Sequence, residues 1–137
     1  MKGILTIFLP MARGLTIADS MSSSSDPYVE IVFPDGKKRT TKTIEKTLNP
    51  IWNYQDKYRI DLLKEDYKPI HFIVKDQDTG AIDDTLGEVK VEWMELFLNP
   101  LLWNVNKIFR LEGKQVKGQS LGEIYIQMKF ISDEYIN

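Results

Sequence analysis

An all-β fold, an eight-stranded antiparallel Greek-key sandwich, is what this sequence predicts, and three observations predict it. Short β-rich runs recur along the chain with turn signals between them. Several of these runs alternate apolar and polar residues, as a sheet with one buried face requires. Only one stretch has helical spacing. The first run is apolar, residues 4–9. Residues 28–33 form the second, stopped by the turn signal Pro34-Asp35-Gly36. Residues 38–44 are Thr-rich and polar and read as a strand with a wet face. Asn49-Pro50 breaks the chain before residues 54–62. Residues 70–74 read as a buried strand and residues 88–92 alternate. Residues 93–98 place Trp93, Leu96 and Phe97 on one helical face, so a short helix is expected between strands six and seven. Residues 108–111 and 122–130 complete the set.

Composition bounds the rest. A chain of 137 residues suits one domain, here expected over 1–131 with a tail from 132 to 137. The apolar share of 42% and charged share of 28% are ordinary for a globular protein. A net charge of −2 argues against a general nucleic-acid binder. With no cysteine there is neither a disulfide framework nor a thiolate metal site, which fits the cytosol. Residues 4–9 after Lys2 fit a first strand better than a signal peptide, because no small-residue cleavage site follows. No run is long enough to span a bilayer, so any membrane contact is expected to be peripheral.

Strand alternation then sorts the aspartates. If the first strand runs up, the loop carrying Asp19 and Asp26 lies at the top. So do the Asn49-Pro50 loop and the loop carrying Asp76, Asp78 and Asp84. Carboxylates gathered at one end repel and call for a cation, and hard oxygen donors on flexible loops suit Ca²⁺ better than Zn²⁺ or Mg²⁺. Asp83 and Asp84 are adjacent, and strand alternation lets only one of them point inward easily. An EF-hand starting at Asp76 is excluded: its sixth position would be Ala81 instead of Gly and its twelfth Gly87 instead of Glu. The flanks also read as strands. His71 has no nucleophile pattern around it, and Trp52 after Pro50 reads as packing. Nothing resembles a nucleophile elbow, a phosphate-binding glycine loop or a zinc motif, so no catalysis is expected.

Three motifs in register carry a family resemblance. They are Ser25-Asp26-Pro27-Tyr28-Val29, the stretch from Thr41 through Asn49-Pro50-Ile51-Trp52-Asn53, and Val74-Lys75-Asp76-Gln77-Asp78 with Asp84-Thr85-Leu86-Gly87-Glu88. Together they resemble a C2 domain over nearly the whole chain. The resemblance implies a β-sandwich that binds phospholipid when Ca²⁺ fills its top loops, with ligands at Asp19, Asp26, Asp76, Asp78 and Asp84. It prefers Asp84 to Asp83, because Asp84 stands just before Leu86-Gly87-Glu88. Gly-Glu-Ile-Tyr-Ile, which opens one permuted form of the family, is here at residues 122–126, so the chain resembles the second topology, that of phospholipases. The first loop holds one residue more between Asp19 and Asp26 than the usual loop.

The expected function is Ca²⁺-dependent binding to anionic phospholipid, targeting the module or a parent protein from the cytoplasm to the membrane periphery. Met21 and Ile82 are the apolar loop residues placed to dip into the headgroups. Lys38 and Lys42, in the basic run that includes Lys37 and Arg39, would add attraction to the lipid, although Glu30 and Thr40 stand where further lysines would help. The alternative is a C2-like protein-interaction module with weak or absent Ca²⁺ binding.

Overall fold

The computed structural model describes residues 2–17, 25–61, 68–78, 80, 82–92, 102–114 and 120–136. Eight strands form two four-stranded antiparallel sheets. The strands are β1 (Lys2–Arg13), β2 (Pro27–Val32), β3 (Lys38–Thr40), β4 (Ile51–Asp61), β5 (Ile70–Asp76), β6 (Asp84–Val91), β7 (Leu102–Arg110) and β8 (Glu123–Ser132). One sheet has the order β4-β1-β8-β7 and the other β3-β2-β5-β6. The first and last strands are thus central neighbours, the arrangement that the motif at residues 122–126 implied.

Side-chain alternation builds the core. Leu5, Ile7 and Leu9 of β1 share the inner face of their sheet with Ile124, Ile126 and Phe130 of β8, and across the sandwich they face Val29 and Ile31 of β2 and Phe72 and Val74 of β5, all with no exposed surface. Truncating one such ring, Phe72→Ala, would cost about 3–5 kcal/mol. Pro10 lies where the β1–β4 register shifts between Leu9 and Met11, a place where a missing N–H is tolerated. At the start of β8, Gly122 has φ +94°, and a Cβ there would stand 2.6 Å from the carbonyl oxygens of Arg13 and Gly14. Only glycine permits so close a crossing.

Several bounds differ from the sequence expectation. The strand expected over 38–44 ends at Thr40. Beyond it the buried Thr41 takes over from the regular ladder. Its N–H donates to the Val29 carbonyl and its hydroxyl oxygen accepts the Val29 N–H. Strand β7 begins at Leu102, well before the short run that patterning suggested. Where a tail was expected, Ser132 is fully buried at the end of β8 and Asp133–Ile136 form a turn of helix, α1. Asp133 accepts hydrogen bonds from the Arg59 guanidinium of β4. The helix expected over 93–98 falls outside the described residues.

Register fixes the two ends. Arg13 of β1 pairs with Glu123 of β8, Met11 with Ile51 of β4, and Pro27 of β2 with Asp76 of β5. The segments after β1, before β4 and between β5 and β6 therefore share one end, as strand alternation predicted. The turn at Pro34-Asp35-Gly36 lies at the other.

Candidate metal centre and membrane-facing loops

At the loop end the strands bring Asp26, Asp76, Asp78 and Asp84 together. Asp76 closes β5 on the same parity as the buried Phe72 and Val74, so its carboxyl sits at the rim of the core. Asp84 opens β6 directly opposite it in the ladder. Asp26 precedes Pro27, the cross-strand partner of Asp76. Its N–H donates to Asp76 Oδ1 at 2.8 Å, and its carbonyl accepts the Gln77 N–H at 3.0 Å.

The Asn49-Pro50 segment is laced onto this end. Asp26 Oδ1 accepts the backbone N–H of Lys46 at 2.7 Å, and Lys46 is in the left-handed region at φ 54°. The Thr47 N–H donates to the Ser25 carbonyl, and the Asn49 side-chain oxygen accepts the Gly14 N–H. Trp52 is buried and its indole N–H donates to the Pro27 carbonyl at 3.1 Å, which fits a packing role.

The electrostatics of the cluster are one-sided. Burial holds the Asp76 carboxyl above the usual carboxylate range. The N–H of Asp26 relieves this in part, while the negative charges of Asp26, Asp84 and Asp78 add to it. Asp83 behaves in the opposite way. It accepts the Tyr28 hydroxyl through Oδ2 and the Asp78 N–H through Oδ1 at 2.8 Å. Those two hydrogen bonds, with Lys75 nearby, hold its carboxyl below the usual range. Burial and the bond to Asp83 push the Tyr28 hydroxyl up to about 12.

Among the described residues no three His, Cys, Asp or Glu side chains stand in metal-holding geometry. The donor chemistry nonetheless fits a hard divalent cation: carboxylates and backbone carbonyls at one end, with an anionic excess that a cation would relieve. Asp19 and Met21 lie outside the described residues.

The residues expected to meet lipid fall in two places. Ile82 projects from the loop between β5 and β6 with 92% of its surface exposed. Ile17 and Ile51 are also exposed at this end. Sequence reasoning passed over both, although each is an isoleucine beside a polar loop. The basic run lies away from the loop tips. Lys38 Nζ is 3.8 Å from Glu30, which also holds Lys75 Nζ at 3.1 Å, while Lys42 is exposed. Arg39 is committed elsewhere, with both Asp56 oxygens on its Nη1 at 2.9 and 2.7 Å. His71, on the outer face of β5, has Nε2 at 3.3 Å from Glu88 Oε2 without hydrogen-bond geometry. Tyr28 and Lys46 were missed at this end, and Asp83 was weighed only as an alternative to Asp84. Lys46 contributes only its backbone, and that leaves no trace in side-chain chemistry.

Comparison with known proteins gives a consistent result. The model of the C2 domain family matches residues 3–111. Synaptotagmin-1 of Aplysia californica is 30% identical over 132 residues, covering 95% of this chain and 31% of that protein. A probable ADP-ribosylation factor GTPase-activating protein of Arabidopsis thaliana is 31% identical over 107 residues, covering 78% of this chain and 30% of that protein. The chain thus spans about a third of the length of these relatives. Among solved structures, a C2 domain of plant Extended Synaptotagmin 1 superposes with a TM-score of 0.73 at 20% identity, covering 95% of both chains. Human GIVD cytosolic phospholipase A2 gives 0.72 at 24% identity, covering 96% of this chain and 16% of that one. The calcium-bound C2 domains of Extended-Synaptotagmin 2 give 0.74 at 21%, covering 93% of this chain and 45% of that one. At these identities the superpositions speak for the fold alone.

Proposed function

Because the chain belongs to the C2 domain family, we propose that it is a Ca²⁺-dependent module that binds anionic phospholipid and brings itself or a parent protein to a membrane surface. The observation that carries the reading is the crowding of Asp26, Asp78 and Asp84 around an Asp76 carboxyl lifted above its ordinary range. Asp26, Asp76, Asp78 and Asp84 would hold the cation, with Asp19 joining them on the family resemblance. Bound there, Ca²⁺ supplies positive charge and open coordination positions for lipid phosphate oxygens.

The chain's own residues do the rest. The aspartates make the loop end repel anionic lipid until their charge is offset. Ile82 at the loop tip, and Met21 by resemblance, enter the headgroup region and remove apolar surface from water. Lys42 and Lys38 add attraction from the flank, where Glu30 offsets part of the Lys38 charge. No residue has a role in bond-breaking chemistry in this reading. Among the described residues no helix is long and apolar enough to cross a membrane, and the contact proposed is peripheral.

Cosedimentation with phosphatidylserine-containing vesicles tests the proposal. The protein is expected in the pellet with Ca²⁺ and in the supernatant with chelator. Equal partition under both conditions would favour the second reading, a protein-interaction module. The observation on that side is that no three acidic side chains among the described residues converge in metal-holding geometry.

A further inference from the structure

Asp83 and Tyr28 do something at this end that the ligand set leaves unexplained. We propose that they form a latch that pre-sets the cation-binding loop, which makes both positioning residues and neither a ligand. The inference rests on the reading that Asp78 and its neighbours take up Ca²⁺.

The geometry assigns each oxygen of Asp83 to one task. Oδ1 accepts the backbone N–H of Asp78, tying the two ends of the segment between them together. Oδ2 accepts the hydroxyl of Tyr28. Tyr28 belongs to β2, its ladder partner is Lys75 of β5, and the partner of Lys75 is Thr85 of β6. The phenol therefore reaches across β5 from a strand two places away and ties the loop to the rigid sheet. Successive side chains alternate in direction, so an Asp83 turned toward Tyr28 leaves Asp84 on the side of its ladder partner Asp76. The consecutive acids thus divide the labour, one holding the loop and the other facing the site. A loop fixed before binding loses less conformational freedom when the cation arrives. Outer residues that orient metal ligands commonly shift affinity by 10- to 100-fold when removed.

The test uses Tyr28→Phe, Asp83→Ala and the double variant of the full 137-residue chain, with folding checked by thermal unfolding in chelator. Amide exchange of Asp78 without Ca²⁺ reads the latch itself: it is expected to be slow in the wild type and faster in all three variants. Calorimetric titration with Ca²⁺ reads the consequence. Each single variant is expected to bind roughly tenfold more weakly, and the double variant no more weakly than Asp83→Ala. Equal exchange at Asp78 in every variant would overturn the latch. Asp83→Ala abolishing Ca²⁺ uptake while Tyr28→Phe leaves it unchanged would make Asp83 a ligand and overturn it too. Uptake by the wild type with unchanged affinity in the variants overturns the positioning role alone. No uptake by the wild type overturns the cation reading, and the positioning role with it.

Discussion

Two acidic sites in this molecule sit against the sandwich in contrasting company. Asp56 of β4 receives both hydrogen bonds of the Arg39 guanidinium and the hydroxyl of Tyr54 at 2.8 Å. Arg39 in turn lies over the Tyr58 ring at 5.3 Å, and that ring stacks on Phe33 with 3.8 Å between centroids. Because β3 and β4 belong to different sheets, this cluster clasps one edge of the sandwich. Asp76 has the opposite surroundings among the described residues: three further aspartates and a backbone N–H. A carboxylate whose partners are built into the chain serves stability. One whose neighbours are other carboxylates leaves its compensation to something outside the chain.

The largest test of that difference removes an acid from the uncompensated cluster. If the proposed function holds, Ca²⁺ should stabilise the wild type by about 2.7 kcal/mol at a hundredfold excess over the dissociation constant, and Asp78→Ala should abolish that gain. Thermal unfolding with and without Ca²⁺ measures it, and a retained shift would remove Asp78 from the ligand set. In the compensated site, Asp56→Ala should cost about 2 kcal/mol regardless of Ca²⁺, because Arg39 and Tyr54 lose a shared charged partner. Urea unfolding in chelator checks this; a Ca²⁺-dependent loss would mean that the two sites are coupled. A smaller effect separates lipid contact from cation binding. Ile82→Ala should weaken vesicle binding by about 1 kcal/mol, the worth of partial apolar burial, and leave the Ca²⁺-induced thermal shift intact. Unchanged vesicle binding would take Ile82 out of the lipid contact.

The same contrast explains what could be read from the sequence. The eight strands and the shared loop end follow from alternation and turn residues, which are local signals. Asp26, Asp76, Asp78 and Asp84 were legible because each closes, opens or borders a strand. Arg39 was not. It reads as one member of a basic run, yet register aims it at Asp56 of the other sheet, a partner set by tertiary packing. The family motif favoured Asp84 over Asp83, but the partner of Asp83 was not legible, because the Tyr28 hydroxyl approaches from a strand that is distant in sequence. The end of β3 depended on one threonine side chain replacing a ladder bond, and patterning carries no mark of that.

The central claim is that the Asp76 cluster opposes folding by itself and is repaired by a cation. The folded-state pKa of Asp76 lies above its unfolded value. Its ionised form therefore opposes folding above the unfolded pKa, and the penalty is relieved as pH falls through the folded pKa. The direct measurement is thermal unfolding of wild type and Asp76→Asn at neutral pH, in chelator and in excess Ca²⁺. In chelator the variant should be the more stable of the two, by a margin that solvent screening keeps small. That advantage should shrink at acid pH. In Ca²⁺ the order should invert, because only the wild type keeps its full set of ligands. An Asp76→Asn variant that is less stable in chelator, or an order indifferent to Ca²⁺, would contradict the account.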